Sequence, residues 1–185
     1  MGSATYEDLL MVPDHLVAEI VEGELYTTPR PAGPHGRVIS GIDRRIGWSF
    51  DEGVEGPDGW WIVVEPEIHL GRDIFVPDVA GWRRDRVPQY LRGPAWEVAP
   101  NWVCEVLSPS TARLDHTRKM PLYARHKIES AWLIDPALHT MEIHRRQGDA
   151  WLLVASYEGD DVIRPQPFET VDFPLGSLWL TPPSA

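Results

Sequence analysis

The chain has 185 residues, enough for one domain with a sizeable core, and its 43% apolar content is that of a globular protein rather than a disordered one. A formal net charge of −11 argues against broad, charge-driven binding to nucleic acid, although acids that hold a metal would add to that charge and the metal would then supply the positive field at a phosphate. Cys104 is the single cysteine, which excludes an intrachain disulfide and a cysteine-based zinc site. No apolar run is long enough to cross a bilayer, and Met1-Gly2-Ser3-Ala4 lacks the basic and apolar regions of a signal peptide, so no membrane association and a cytoplasmic location are expected.

In chain order, Thr5 followed by Asp8 is a capping-box pattern and predicts a short helix over 6–11. Ala18 to Thr28 alternates around Glu22-Gly23, a hairpin signature. Pro29 to Pro34 is a loop. Val38, Ile39, Ile42, Ile46 and Phe50 recur at helical spacing over 35–52, and Gly53 to Gly59 breaks the chain. Trp60 to Leu70 and Phe75 to Trp82 are rich in β-formers and read as one strand each. Residues 84–100 form a polar, proline-punctuated loop, long enough to suggest function or mobility. Asn101 to Leu107 is a compact apolar strand. Ser108-Pro109-Ser110-Thr111 is a turn that supplies an N-cap for a helix over 112–126, where Pro121 predicts a kink beside Lys119. Ala131 to Asp135, Thr140 to Arg146 and Trp151 to Tyr157 are three further strands. From 168 the chain reads as a short strand or an extended tail, fraying over its last five residues. Without repeats or low-complexity segments, residues 1–185 are read as a single α/β (α+β) domain.

Two carboxylates stand where carboxylates are costly. Asp78 lies in Phe75-Val76-Pro77-Asp78-Val79-Ala80 and Glu105 in Trp102-Val103-Cys104-Glu105-Val106-Leu107, both read as buried strands. A buried acid neutralises, pairs or binds a cation. Two on neighbouring strands repel unless a cation lies between them, and Mg²⁺ accepts a site with only one or two protein carboxylates. Spacing alone also fits a pair of core acids bound to arginine.

The order of elements, with an acid after proline and a second acid on the next strand before a helix, is similar to that of the PD-(D/E)XK nucleases. Within that superfamily the chain resembles the Uma-two family of putative restriction endonucleases from Tyr6 to Tyr157. The resemblance is carried by Tyr6-Glu7-Asp8-Leu9-Leu10, by Glu19 to Leu25, by His35, by Val76-Pro77-Asp78, by Val103 to Thr111, by Asp115 to Lys119 with Tyr123, and by Ala131 to Pro136. It implies a restriction-endonuclease-like core, a central mixed sheet flanked by helices. It also implies DNA as substrate and Mg²⁺ or Mn²⁺ held by Asp78 and Glu105. A homodimer is compatible with that reading. The superfamily places a lysine two residues after the glutamate, on the same strand face, but here that residue is Leu107. Lys119 is the candidate replacement, because Asp115, Lys119 and Tyr123 are spaced by four and share a helical face; a solvent-exposed Asp115–Lys119 pair is the alternative.

His35 and Tyr123 are supporting candidates. Glu67 is a weaker ligand candidate, and Glu19, Glu22 and Glu24 surround a turn, with the resemblance marking Glu24. Arg83, Arg84 and Arg86 fit a phosphate grip less well than a solvated loop. The expected function is a metal-dependent endonuclease with Asp78, Glu105 and Lys119 as its catalytic set. The alternative is a degenerate nuclease-fold module with a binding or regulatory role, which Leu107, Pro121 and the acidic charge favour.

Overall fold

The computed structural model describes residues 2–53 and 59–180. Thr5 caps α1 (Tyr6–Leu10) reciprocally: its hydroxyl accepts from the Asp8 N–H while the Asp8 carboxylate accepts from the Thr5 N–H. β1 (Leu16–Val21) and β2 (Glu24–Pro29) form the expected hairpin, with Glu22 and Gly23 both at positive φ. α2 (Gly33–Ile42) continues into a π-helical stretch, Asp43–Asp51, and together they bury Val38, Ile39, Ile42, Ile46 and Phe50, the residues of the predicted stripe. Most of the predicted break at Gly53–Gly59 and the last five residues lie outside the described residues.

The next two apolar runs each divide, against expectation. Trp60 to Leu70 becomes β3 (Trp60–Val64) and β4 (Ile68–Leu70), separated by Glu65, whose φ of 45° is left-handed, and by Pro66. Phe75 to Trp82 is shared between β5 (Asp73–Phe75) and β6 (Val79–Arg83). Pro77 has no N–H to give to a ladder, so the run is interrupted there and Asp78 falls just outside a strand. At each break the chain passes between two sheets. β4 and β5 belong to a four-stranded sheet ordered β2-β1-β5-β4, whereas β3 and β6 belong to a larger one.

Residues 84–100 are irregular, as expected, and are pinned by Trp96. Its N–H donates to the Glu67 carbonyl and its ring stacks on Trp82 with centroids 3.9 Å apart. After β7 (Trp102–Val106) comes one helical run: α3 (Ala112–Leu114), a π-helical stretch Asp115–Lys119, and α4 (Met120–Arg125). β8 (Ser130–Asp135), β9 (Thr140–Gln147) and β10 (Ala150–Glu158) complete a six-stranded sheet ordered β10-β9-β8-β7-β6-β3. Its β7–β8 pair is parallel and the remaining pairs are antiparallel, so the sheet is mixed. The parallel pair needs a crossover, and the helical run provides it. The chain then forms β11 (Val162–Ile163), β12 (Phe173–Pro174) and a 3₁₀ turn, Leu175–Leu178; Phe168, Phe173, Leu175 and Leu178 are all buried.

Strand alternation sends side chains to two cores. Trp102, Cys104, Val106, Trp132 and Ile134 face α2 and the C-terminal segment. Ala80, Trp82, Val103 and Leu133 face Met120, Leu122 and Tyr123 of α4. Glu105, between Cys104 and Val106, takes the parity of Val103 and lies on the α4 side. Asp78 takes the parity of Ala80 and comes to the same side.

Candidate active site

Both acids line one cavity of about 170 Å³ between the two sheets, together with Glu19, His35, Asp115 and Lys119. Each is held by several elements. Asp78 Oδ2 accepts the backbone N–H of Val106 at 2.7 Å, and Oδ1 lies 2.9 Å from His35 Nε2 at the start of α2. Glu105, 3% exposed, accepts the Tyr123 hydroxyl and lies 2.9 Å from Lys119 Nζ, both on the helical run behind β7. Lys119 Nζ is also 2.9 Å from Glu19 Oε1 and 3.6 Å from Asp115 Oδ1. Glu19 in turn accepts the N–H of Val76 at 2.8 Å, which ties β1 to the segment carrying Asp78.

The Asp115–Lys119 pair is therefore not on the surface, since both residues are buried. Pro121 does not turn Lys119 away. It has no N–H for the carbonyl of Thr117, and the helix widens to π spacing just before it, the Met120 N–H reaching back five residues to the Asp115 carbonyl. The expected kink is thus a π-helical stretch, and α4 continues beyond it. Leu107 is half-buried against the apolar cluster on the Glu105 side, so the strand offers no cation there.

Three carboxylates, Glu19, Glu105 and Asp115, converge on the Lys119 ammonium, and Asp78 lines the same cavity. Burial pushes the Glu105 carboxyl well above its ordinary range; Lys119 opposes that rise and Asp115, Asp78 and Glu19 add to it. Burial also raises Asp115, again against Lys119. Burial would lower Lys119, but Glu105 and Glu19 outweigh it and hold the ammonium well above its usual value. Tyr123 is raised well above its usual value by burial and by Glu105, which keeps it a hydroxyl donor.

A family model described as a putative restriction endonuclease, Uma2, matches residues 4–176. The chain belongs to the Uma2 family. A crystal structure of a putative nuclease belonging to DUF820, from Anabaena variabilis ATCC 29413, superposes with a TM-score of 0.72 at 22% identity, covering 95% of this chain and 97% of that chain. It shares the fold, a central mixed sheet flanked by helices. No curated protein matches. The family match supports nuclease function in general terms.

Of the other acids weighed in this Uma2 chain, Glu24 does not reach the cavity. It is exposed on β2 and accepts from the Tyr26 hydroxyl. Glu22 pairs with Arg118 and Arg125 on the surface. Glu67 accepts from Tyr6 and contacts His69, away from the cavity. Arg83 and Arg84 lie over Trp60 and Trp61, and Arg84 also pairs with Asp51. Sequence reasoning weighed Glu19 only as one of the acids around a turn. Its signal was the one that exposed Asp78 and Glu105: an acid inside an apolar strand, here Leu16 to Val21.

Proposed function

We propose that this protein is a metal-dependent endonuclease that hydrolyses DNA phosphodiester bonds in the cavity of Asp78, Glu105 and Lys119. The observation that carries this reading is a buried lysine bracketed by Glu19 and Glu105 in the same cavity as Asp78. Such a cation is costly to bury and is worth keeping where negative charge develops in a reaction.

The donor set fits a hard divalent cation. The candidate ligands are all carboxylate oxygens, and Glu105 Oε2 has no protein partner among the described residues. Among those residues no three His, Cys, Asp or Glu side chains form a metal-ligating group. Mg²⁺ and Mn²⁺ nonetheless fit two carboxylates completed by water and phosphate, and the surplus of acids over Lys119 favours a divalent ion. Asp78 and Glu105 would hold it; when bound, it would polarise a phosphoryl oxygen and lower the pKa of a coordinated water.

The chain's own residues do the rest. Lys119, held by two carboxylates at 2.9 Å, presents a fixed positive charge to a phosphoryl group whose oxygens gain charge in the transition state. Tyr123 fixes the Glu105 carboxylate through Oε1 and leaves Oε2 available. His35 and the Val106 N–H orient Asp78 from either side.

The test is a paired titration of Mg²⁺ and Mn²⁺, read as plasmid cleavage and as thermal melting. Metal should raise the melting temperature by mass action and switch on cleavage, and Asp78→Asn should remove both. An unchanged melting curve together with an intact plasmid across millimolar metal would falsify the reading.

A further inference from the structure

One more charged pair lines the same cavity and has no part in the chemistry above. Arg30, between β2 and α2, has a side chain 53% exposed. Its Nε donates to the Asp14 carbonyl at 2.9 Å and its Nη1 to Glu65 Oε2 at 3.2 Å. Nη2 has no protein partner among the described residues. An arginine and a carboxylate usually meet as two parallel hydrogen bonds; here only one is made.

Glu65 is an incomplete partner. Its other oxygen, Oε1, is buried without a hydrogen bond. Its backbone is left-handed at φ 45°, which costs free energy for a residue with a side chain. Its N–H donates to the Asp78 carbonyl at 3.0 Å, so this strained residue is tied to the segment that carries the acid. A single hydrogen bond of 3.2 Å to a half-exposed arginine is a weak hold.

Resting on the nuclease reading, we propose that Arg30 is a phosphate-binding residue that grips the DNA backbone next to the scissile bond, and that Glu65 holds it in place until DNA displaces it. The charge balance calls for such a residue. Five acids line the cavity: Glu19, Glu65, Asp78, Glu105 and Asp115. Lys119 is 3% exposed and already bracketed by carboxylates. Arg30 is the only arginine among the lining residues, and it is open to solvent. A phosphodiester carries two non-bridging oxygens and can take Nη1 and Nη2 together, the fork that Glu65 leaves half-used.

The experiment uses a fluorescent DNA duplex, with anisotropy measured over a range of salt in Ca²⁺ and cleavage measured in Mg²⁺. Arg30→Ala should weaken binding about tenfold. It should also shrink the slope of log affinity against log salt by about one, and it should raise KM while kcat stays near wild type. Glu65→Gln should act oppositely and tighten binding. That gain should vanish in the Arg30→Ala background, whereas a general effect of removing a negative charge would persist there. Melting curves confirm that each variant folds. If Glu65→Gln weakens binding as Arg30→Ala does, the pair is only a staple for the loop and the proposal fails. It fails alone if wild type cleaves DNA while Arg30→Ala binds with unchanged affinity and salt slope. A wild-type protein that neither binds nor cleaves the duplex overturns the nuclease reading and this one together.

Discussion

On one side of the six-stranded sheet, Trp102, Trp132 and Phe168 meet edge to face, with centroids 4.8 to 5.6 Å apart, and the surrounding side chains are apolar. On the other side an apolar cluster that includes Val103, Leu133 and Tyr123 stands beside four buried charged residues, Glu105, Asp115, Lys119 and Glu19. The first side is stabilised by removing apolar surface from water, an effect that needs no partner from solution. The second buries more negative than positive charge, so its stability depends on protons or on a cation. The comparison separates residues that hold the fold from residues that the fold holds in place at a cost.

Four measurements break or sharpen that contrast. Phe168→Ala, on the apolar side, should cost about 3–5 kcal/mol in urea unfolding, by the same amount with and without metal. A metal-dependent loss would erase the distinction between the sides. On the charged side, Lys119→Ala should reduce metal-dependent cleavage about a hundredfold or more while changing metal affinity little. It should also destabilise the metal-free protein, because Glu105 and Glu19 lose their partner. Full activity in that variant would remove Lys119 from the chemistry.

The third measurement uses pH. Glu105 and Asp115 lie above their ordinary values, chiefly through burial, so the folded protein keeps protons that the unfolded chain has released. Their contribution to stability is greatest below the ordinary carboxylate range and falls as pH rises from it toward the folded-state values. Surface acids such as Glu22, lowered by Arg125 and then Arg118, contribute with the opposite sign. The readout is therefore the difference between wild type and Glu105→Gln. Without metal, wild type should lose stability relative to the variant as pH rises, and Mg²⁺ should flatten the trend. A difference that stays constant with pH would contradict it. The smallest effect is expected from Glu24→Gln, which should change stability by less than about 0.5 kcal/mol and leave cleavage intact. Glu19→Gln should lower cleavage, and equal effects from the two would undo the assignment of Glu19 to the site.

Local chemistry made part of this legible in the sequence. The Thr5–Asp8 cap, the Glu22-Gly23 hairpin and the strands from Asn101 to Tyr157 are patterns whose physics lies within a few residues. The divided runs at Trp60 to Leu70 and Phe75 to Trp82 were not legible, because β-forming side chains say nothing about which sheet receives them; Pro66 and Pro77 were the available hints. Asp78 and Glu105 stood out as acids in apolar surroundings. Glu19 has the same signature but was masked by the acidic turn beside it. The depth of Lys119 was hidden because an i,i+4 acid–lysine pair looks alike on a surface and in a core. The π-helical stretch that accommodates Pro121 is likewise a response of the whole helix.

The bond from the Val106 N–H to Asp78 bears on how relatives can be compared. The β6–β7 ladder runs only as far as Val79 opposite Cys104, and beyond it the Asp78 side chain accepts the N–H of Val106. Asp78 is in this respect a splice in the sheet. An alanine there would strand a buried donor, at about 1–3 kcal/mol, before any chemistry is considered. Selection for folding alone would preserve the aspartate in a lineage that had ceased to cut DNA. Its presence in a relative is therefore weak testimony of activity, and an alanine scan at this position would confuse a lost reaction with a lost fold. Asparagine keeps an oxygen for Val106 and an amide for His35, and so separates the two.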